Sequence, residues 1–345
     1  MKRQAISSAS FQYAIIVSIS KLSVYRKITI MILITGGTGF VGQALTRHLV
    51  EAGHPVRLLI RPSHRTPKIP PGIPVEVAIS SISDTRGLRA AMVDVNIIYH
   101  LISGEWHGVR ANLMKTDVEG TLSITQAAID AGVKRILYLS HLDANRSAAY
   151  PVLKAKGIAE EYIRRSGLEY TIIRSAILYG LRDGLTTGLA KILASFPFLF
   201  LLPGEGDTII QPLWVEDLAI CLAWALDEVS TQNQVIEIGG PEYLSFRNVV
   251  ETVMDVTGIR RRLAPVKPPY LRALTVLLDH LFPNLPISVY WLDYLAANRT
   301  CKLDTVSKVF NLIPARFSQR ISYLRGEKWH MSIWQALQKS SQTRR

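Results

Sequence analysis

Apolar residues in this chain follow two periods, and the two alternate along it. Short continuous runs at residues 30–34, 55–60, 75–79, 95–101, 136–140 and 170–174 read as buried strands. Between them, apolar positions return every three or four residues. Leu45, Leu49 and Val50 do so before Gly53, which suits the C-terminal cap of a helix. Asp84 is placed to cap a helix running to Met92, and Leu122, Ile124 and Ala127 continue a helix that opens at Asp117. Strand and helix in alternation predict an α/β fold, a doubly wound parallel sheet with helices on both faces. From residue 245 the pattern turns mainly helical and predicts a smaller C-terminal lobe. Leu271, Leu274, Leu277, Leu278 and Leu281 form an apolar stripe there, and residues 189–202 are very apolar apart from Lys191 and Pro197. Such stripes are most often core; a face for a membrane surface or a partner protein is the sharper alternative. No run reaches the ~18 to 20 apolar residues of a membrane span.

The first strand ends in Thr35-Gly36-Gly-Thr-Gly39-Phe40-Val41-Gly42. Strand, glycine turn and helix make the frame of a Rossmann dinucleotide site. The first glycine permits the tight turn, the second lets backbone approach a pyrophosphate, and the third lets helix and strand pack closely. Free N–H groups and the partial positive charge at a helix start favour phosphates. Thr35, Gly36, Gly39, Phe40, Val41 and Gly42 are therefore candidate cofactor-binding residues. Leu101, closing the fourth strand, should border the same ligand, while His100 beside it reads as structural. An acid about twenty residues past the first glycine would grip the ribose 2′-hydroxyl of NAD. None stands between Val56 and Arg65, where Arg57, Arg61 and Arg65 occur instead. Arg61, at the strand end, suits a 2′-phosphate, so NADP(H) is favoured over NAD(H). The blander alternative is that Arg61 points into water.

Composition changes this picture little. The chain has 345 residues, enough for one large α/β domain with an appended lobe. The organisation expected is an N-terminal extension at 1–30, a nucleotide-binding domain at 31–240, the lobe at 241–330 and a basic tail at 331–345. In the extension, the apolar run at 11–19 is too short to span a bilayer, and no small-residue cleavage site follows it. It reads as a loose tail, or Met31 as the natural start. Cys221 and Cys301 lie far apart with no partner at metal spacing, which argues against a disulfide framework or metal site and for a reducing, cytoplasmic setting. The net charge of +13 could steer anionic ligands, but the basic residues are scattered. No aromatic and basic interleaving speaks for nucleic acid.

The string ITGGTGFVG resembles the extended and atypical branches of the short-chain dehydrogenase/reductase superfamily, the NAD-dependent epimerase/dehydratase and NmrA-like families. Further matches follow. Asp117-Val-Glu-Gly-Thr121 resembles the Asn-x-x-Gly-Thr motif, with Asp117 in place of Asn. Residues 154–180, 202–207, 211–217 and 236–241 continue the pattern, although Arg174-Ser175 stands where Arg-Pro is usual. Together they look most like bacterial relatives of the nucleotide-binding accessory subunit of respiratory complex I, over residues 31–324. The resemblance implies a Ser or Thr at the end of the fifth strand, for which Ser140 is the candidate with His141 beside it. It also implies an acid near the adenine, where this chain has Ser81.

Active members of that superfamily use a Tyr-x-x-x-Lys pair, and here two registers compete. Tyr150 and Lys154 have the literal spacing. Pro151, however, belongs in a first helical turn and biases Tyr150 toward an extended conformation outside the helix. At about 100° per residue, Val152, Ala155, Ala159, Tyr162 and Ile163 gather on one face; Lys154 falls opposite, and Lys156 at the edge. Counting back from Ser166-Gly167-Leu168 also sets the family's lysine at Lys156, which leaves Val152 where the tyrosine belongs. Lys156 is then expected to bind cofactor while the usual acid/base is missing, unless His141 or Tyr150 substitutes. Three functions stay open: an NADP(H)-binding reductase-like protein with weak or unusual catalysis; an active oxidoreductase or epimerase acting on a small carbonyl or sugar-like substrate; and a non-catalytic nucleotide-binding subunit or assembly factor of a membrane redox complex, peripheral to the inner face of the membrane and docked through the C-terminal lobe.

Overall fold

The computed structural model describes residues 30–63, 66–67, 69–105, 111–281, 289–327 and 329. Residues 1–29 of the N-terminal extension, Arg65 and the basic tail lie outside the described residues, as does the side chain of Leu281.

The predicted strands form one sheet. In chain order they are β1 (Met31–Thr35), β2 (Val56–Ile60), β3 (Glu76–Ile79), β4 (Val95–His100), β5 (Arg135–His141) and β6 (Glu169–Ser175). After the short β7 (Leu178–Tyr179), β8 (Leu199–Pro203), β9 (Ile209–Ile210) and β10 (Leu213–Trp214), β11 (Gln234–Ile238) completes it. The spatial order is β11-β6-β5-β4-β1-β2-β3, and every neighbouring pair is parallel. The chain thus runs outward from β1 in one direction and outward from β4 in the other. This is the doubly wound order of a Rossmann fold, whose ligand crevice lies at the carboxyl ends where the order reverses. Continuous apolar runs are what such a sheet needs, because its central strands are covered on both faces. Ile32, Leu33 and Ile34 of β1 are all fully buried. At the edge, β3 leaves Val77 46% and Ile79 70% exposed.

The helices obey their local signals. α1 (Phe40–Glu51) ends at Gly53, whose φ of +84° lets its N–H reach Val50 O while the His54 N–H reaches Leu49 O. α2 (Thr85–Ala91) is capped by Asp84, which accepts a 3.0 Å hydrogen bond from the Gly87 N–H. The helix expected to open at Asp117 starts earlier. A π-helical stretch, Met114–Glu119, runs straight into α3 (Gly120–Asp130), and Asp117 sits within it only 1% exposed. π-Bulges of this kind are frequent at functional sites. α4 (Pro151–Arg165) carries Pro151 in its first turn, and Tyr150 before it is extended, at φ −85° and ψ 126°.

A second core lies beside the sheet. Tyr179, Leu189, Leu193, Leu202, Phe246, Val249, Val250, Val253, Phe317 and Ile321 pack together in it. It is framed by α5 (Thr186–Ser195), the β8 pairing with β12 (Arg262–Val266), the helix Phe246–Thr257 and the turns at 317–324. The smaller lobe therefore draws on residues 177–210 as well as on those past 240. Its helices Pro268–Leu281 and Val289–Tyr294 complete one side. The leucine stripe is only half used as core, with Leu271 8% exposed but Leu274 37% and Leu277 55%.

Candidate functional site

The turn after β1 closes on itself. Gly36 has φ +78°, its carbonyl accepts from the Gly39 N–H at 2.9 Å, and the Leu101 N–H donates to Thr35 O at 3.0 Å. A β-carbon on Gly42 would lie 2.2 Å from Gly36 O, so α1 can seat against the turn only with glycine there. A β-carbon on Gly36 would lie 3.0 Å from the Leu101 carbonyl carbon. No side chain caps α1, which leaves its first-turn N–H groups to whatever enters. Gly36, Gly39, Phe40, Val41, Gly42, Arg61 and Leu101 all line one cleft of about 1690 Å³ along the carboxyl ends of the sheet. Drug-sized ligands occupy pockets of roughly 300–1,000 Å³, so this cleft suits something extended. The glycine cradle and the uncapped helix start fit a dinucleotide pyrophosphate. Thr35 is the exception among the candidates: it is fully buried behind the turn, its hydroxyl 2.7 Å from His100 Nδ1.

Of the three arginines near β2, Arg61 is exposed at the cleft wall. Arg57 is committed elsewhere, to Glu76 and to the carbonyls of Ala91 and Val93. Ser81 lines the cleft as well, its hydroxyl 2.9 Å from that of Ser83.

The two lysines separate cleanly. Lys154 is exposed on the outer side of α4, whereas Lys156 is 2% exposed and lines the cleft. Its Nζ lies 3.4 Å from Asp117 Oδ1 and 5.1 Å from the centre of the Tyr138 ring. Asp117 Oδ2 in turn accepts the Gly104 N–H at 2.8 Å. Burial by itself pushes an ammonium toward its neutral form, but the Tyr138 phenol beside it and the carboxylates of Asp117 and Glu105 outweigh this. Lys156 is thereby held above its ordinary value and stays charged at neutral pH. Burial and that same cation push His100 down to about 3. His100 is thus a neutral group within the core, between the hydroxyls of Thr35 and Thr121, as its sequence context implies.

The buried face of α4 is centred on Lys156, Ala159, Glu160 and Ile163; Tyr162, expected on that face, is 36% exposed, and Val152 is only partly buried. Tyr150 does not line the cleft; its ring lies 5.4 Å from the Arg299 guanidinium. Ser140 lines the cleft, but its hydroxyl donates to the buried Glu160 carboxylate at 2.6 Å, and Arg174 holds that carboxylate from the other side at 2.8 Å. His141 lines the cleft too, with Nε2 2.7 Å from Glu105 Oε2. Glu105 is held below the usual carboxylate range: burial opposes this, but the His141 contact and the Lys156 charge prevail. Nothing in the sequence marked Glu105, which sits in an aperiodic loop 36 positions before its partner. Trp291 and Tyr294, from the smaller lobe, also reach the cleft without any motif to announce them.

Comparison with known proteins fits this geometry. Residues 36–192 match a family model described as NAD(P)H-binding. The NADH dehydrogenase [ubiquinone] 1 alpha subcomplex subunit 9 of Arabidopsis thaliana is 26% identical over 268 residues, 74% of this chain. The match spans 65% of that relative's length. A putative dihydroflavonol 4-reductase of Synechocystis is 26% identical over 250 residues, covering 66% of this chain and 72% of the relative. Among solved structures, the NADPH-dependent quinone oxidoreductase of Escherichia coli complexed with NADPH superposes with a TM-score of 0.69 at 19% identity, over 85% of this chain and 99% of that one. A nucleoside-diphosphate-sugar epimerase of Staphylococcus aureus gives 0.66 at 16% identity, over 86% and 100%. Residues 36–192 thus match an NAD(P)H-binding domain, in a chain of Rossmann-type fold that is similar in sequence to a putative reductase and to an alpha subcomplex subunit of an NADH dehydrogenase.

Proposed function

We propose that this protein binds NADP(H) in preference to NAD(H) and is a reductase-like member of its group with unusual acid–base machinery. The observation that carries the reading is the pair of positions on α4. Lys156 is buried in the cleft with its charge matched by Asp117, while the position four residues earlier is Val152, which carries no proton. In this reading the glycine turn holds the pyrophosphate, Arg61 meets the 2′-phosphate, and Lys156 holds the nicotinamide ribose. Bound nicotinamide supplies a hydride acceptor or donor. Leu101 and the end of β5 border its ring, and His141, oriented by Glu105, is placed to give or take a proton there. Ser140, engaged with Glu160, positions the strand end. Carbonyl reduction, or epimerisation of a small sugar-like substrate, would then be slow, with His141 in place of the usual tyrosine.

A second reading is a nucleotide-binding subunit or assembly factor without turnover. The Arabidopsis relative's name and the missing tyrosine favour it. The deciding experiment titrates the protein with NADPH and NADH and follows reduction of a carbonyl panel in Lys156→Ala, Lys154→Ala, His141→Gln and Tyr150→Phe. Tighter NADPH binding, weakened by Lys156→Ala alone, with slow turnover lost in His141→Gln, supports the first reading. NADPH binding with no turnover on any substrate supports the second. Robust turnover that depends on Tyr150 and Lys154 would sink both.

A further inference from the structure

Helix α5 has a different neighbour on each side. Gly188 and Lys191 line the nucleotide cleft, whereas Leu185 just before the helix, Leu189 and Ile192 line a separate cavity of about 390 Å³. Phe196, Phe200 and Leu271 supply more of that cavity, and Thr275 is its one polar side chain among the described residues. The two spaces share a border, for Gly184 and Trp291 line both. The border adjoins open cleft, since a β-carbon at Gly188, on the cleft side, would meet nothing within 4 Å. It lies on the β6 side of the glycine turn, opposite Arg61, and so beside the half of the cleft where the nicotinamide belongs in the proposed function. The cavity is open on one side, where Phe198 and Leu199 are exposed, and such walls offer water few hydrogen-bond partners and favour apolar guests. Its volume, near the lower end for small-molecule pockets, admits a single chain or ring and is too small for a peptide helix.

We infer that this cavity receives the apolar tail of a substrate whose carbonyl head stands in the cleft near His141, which makes the substrate class amphipathic carbonyl compounds with one unbranched or aromatic tail. The inference rests on the proposed nicotinamide-bearing cleft for the head, and on the cavity alone for the tail. Polar sugars would gain nothing from these walls, and each buried methylene should tighten binding about fourfold.

The test is calorimetric titration of the NADPH-saturated protein with straight-chain methyl ketones from butanone to dodecanone. Affinity is expected to climb about fourfold per methylene and then level off as the cavity fills. Leu274→Arg, at a cavity position already 37% exposed, and Ile192→Trp, which fills the space from a half-buried position, should each flatten the climb while leaving NADPH and butanone affinities unchanged. A chain-length series that is flat in the unsubstituted protein, or a climb that survives both substitutions, overturns the inference. If NADPH does not bind, the nucleotide reading fails separately. The same ketone series on nucleotide-free protein then decides for the cavity if the climb is lost in Leu274→Arg, and against it if there is no climb.

Discussion

Lys156 and Asp117 are 3% and 1% exposed at their side chains, and each is the other's main compensation. Removing one partner of a buried pair strands the other charge and typically costs about 3–5 kcal/mol. Lys156→Met is therefore expected to lower the melting temperature sharply, and Lys156→Met with Asp117→Asn to recover much of the loss; an unchanged single variant would show that water already reaches the pair. Arg61 makes the opposite kind of prediction, being exposed. Arg61→Ala should leave stability alone and weaken NADPH roughly tenfold, as for a lost hydrogen bond to a charged group, with NADH untouched in the same titration. Glu105 predicts a pH dependence. Its carboxyl is held below the ordinary value, so the stability it contributes is present above about pH 4.3 and is lost as pH falls through the lower, folded value. Glu105→Gln should remove that acid-side slope from melts recorded against pH.

At the scale of elements, the glycine turn and α1 behave as one unit. Gly42→Ala would set a methyl group 2.2 Å from Gly36 O, and overpacking of this kind typically costs about 1–3 kcal/mol. Because the strain falls on the turn itself, nucleotide affinity should drop along with the melting temperature. Normal binding in Gly42→Ala would mean that the turn can open without loss. How far these elements were legible depended on how local their cause is. The Gly53 and Asp84 caps, and the extended Tyr150 before Pro151, follow from a few adjacent residues and appear where expected. The π-helical stretch before Gly120 does not announce itself, because its sequence is ordinary helix. Nor could periodicity alone separate the buried and exposed parts of the leucine stripe, since the neighbours of each turn decide which leucines are covered.

Over the whole molecule the charge bias becomes specific. Arg61, Lys115, Lys156, Arg182 and Lys191 outnumber Glu105, Glu119 and Asp183 along the cleft. An anionic dinucleotide should be steered in, and its association rate should fall several-fold from low to ~0.5 M salt while dissociation changes little; stopped-flow mixing would detect it. Composition alone records an excess of basic residues, without saying that one cleft concentrates some of them. By itself, the sequence determined the α/β alternation, the parallel sheet, the glycine turn and the choice of Lys156 over Lys154 as the inward lysine. Each of these is written in periods and backbone preferences that act within a turn or a strand. Only the tertiary structure decided that Glu105 meets His141, that Asp117 meets Lys156, that Glu160 ties Ser140 to Arg174, and that an apolar cavity adjoins the cleft behind α5. Those partners lie 14 to 39 positions apart in the chain. They meet because the strand order brings their elements side by side, and no short stretch of sequence carries that information.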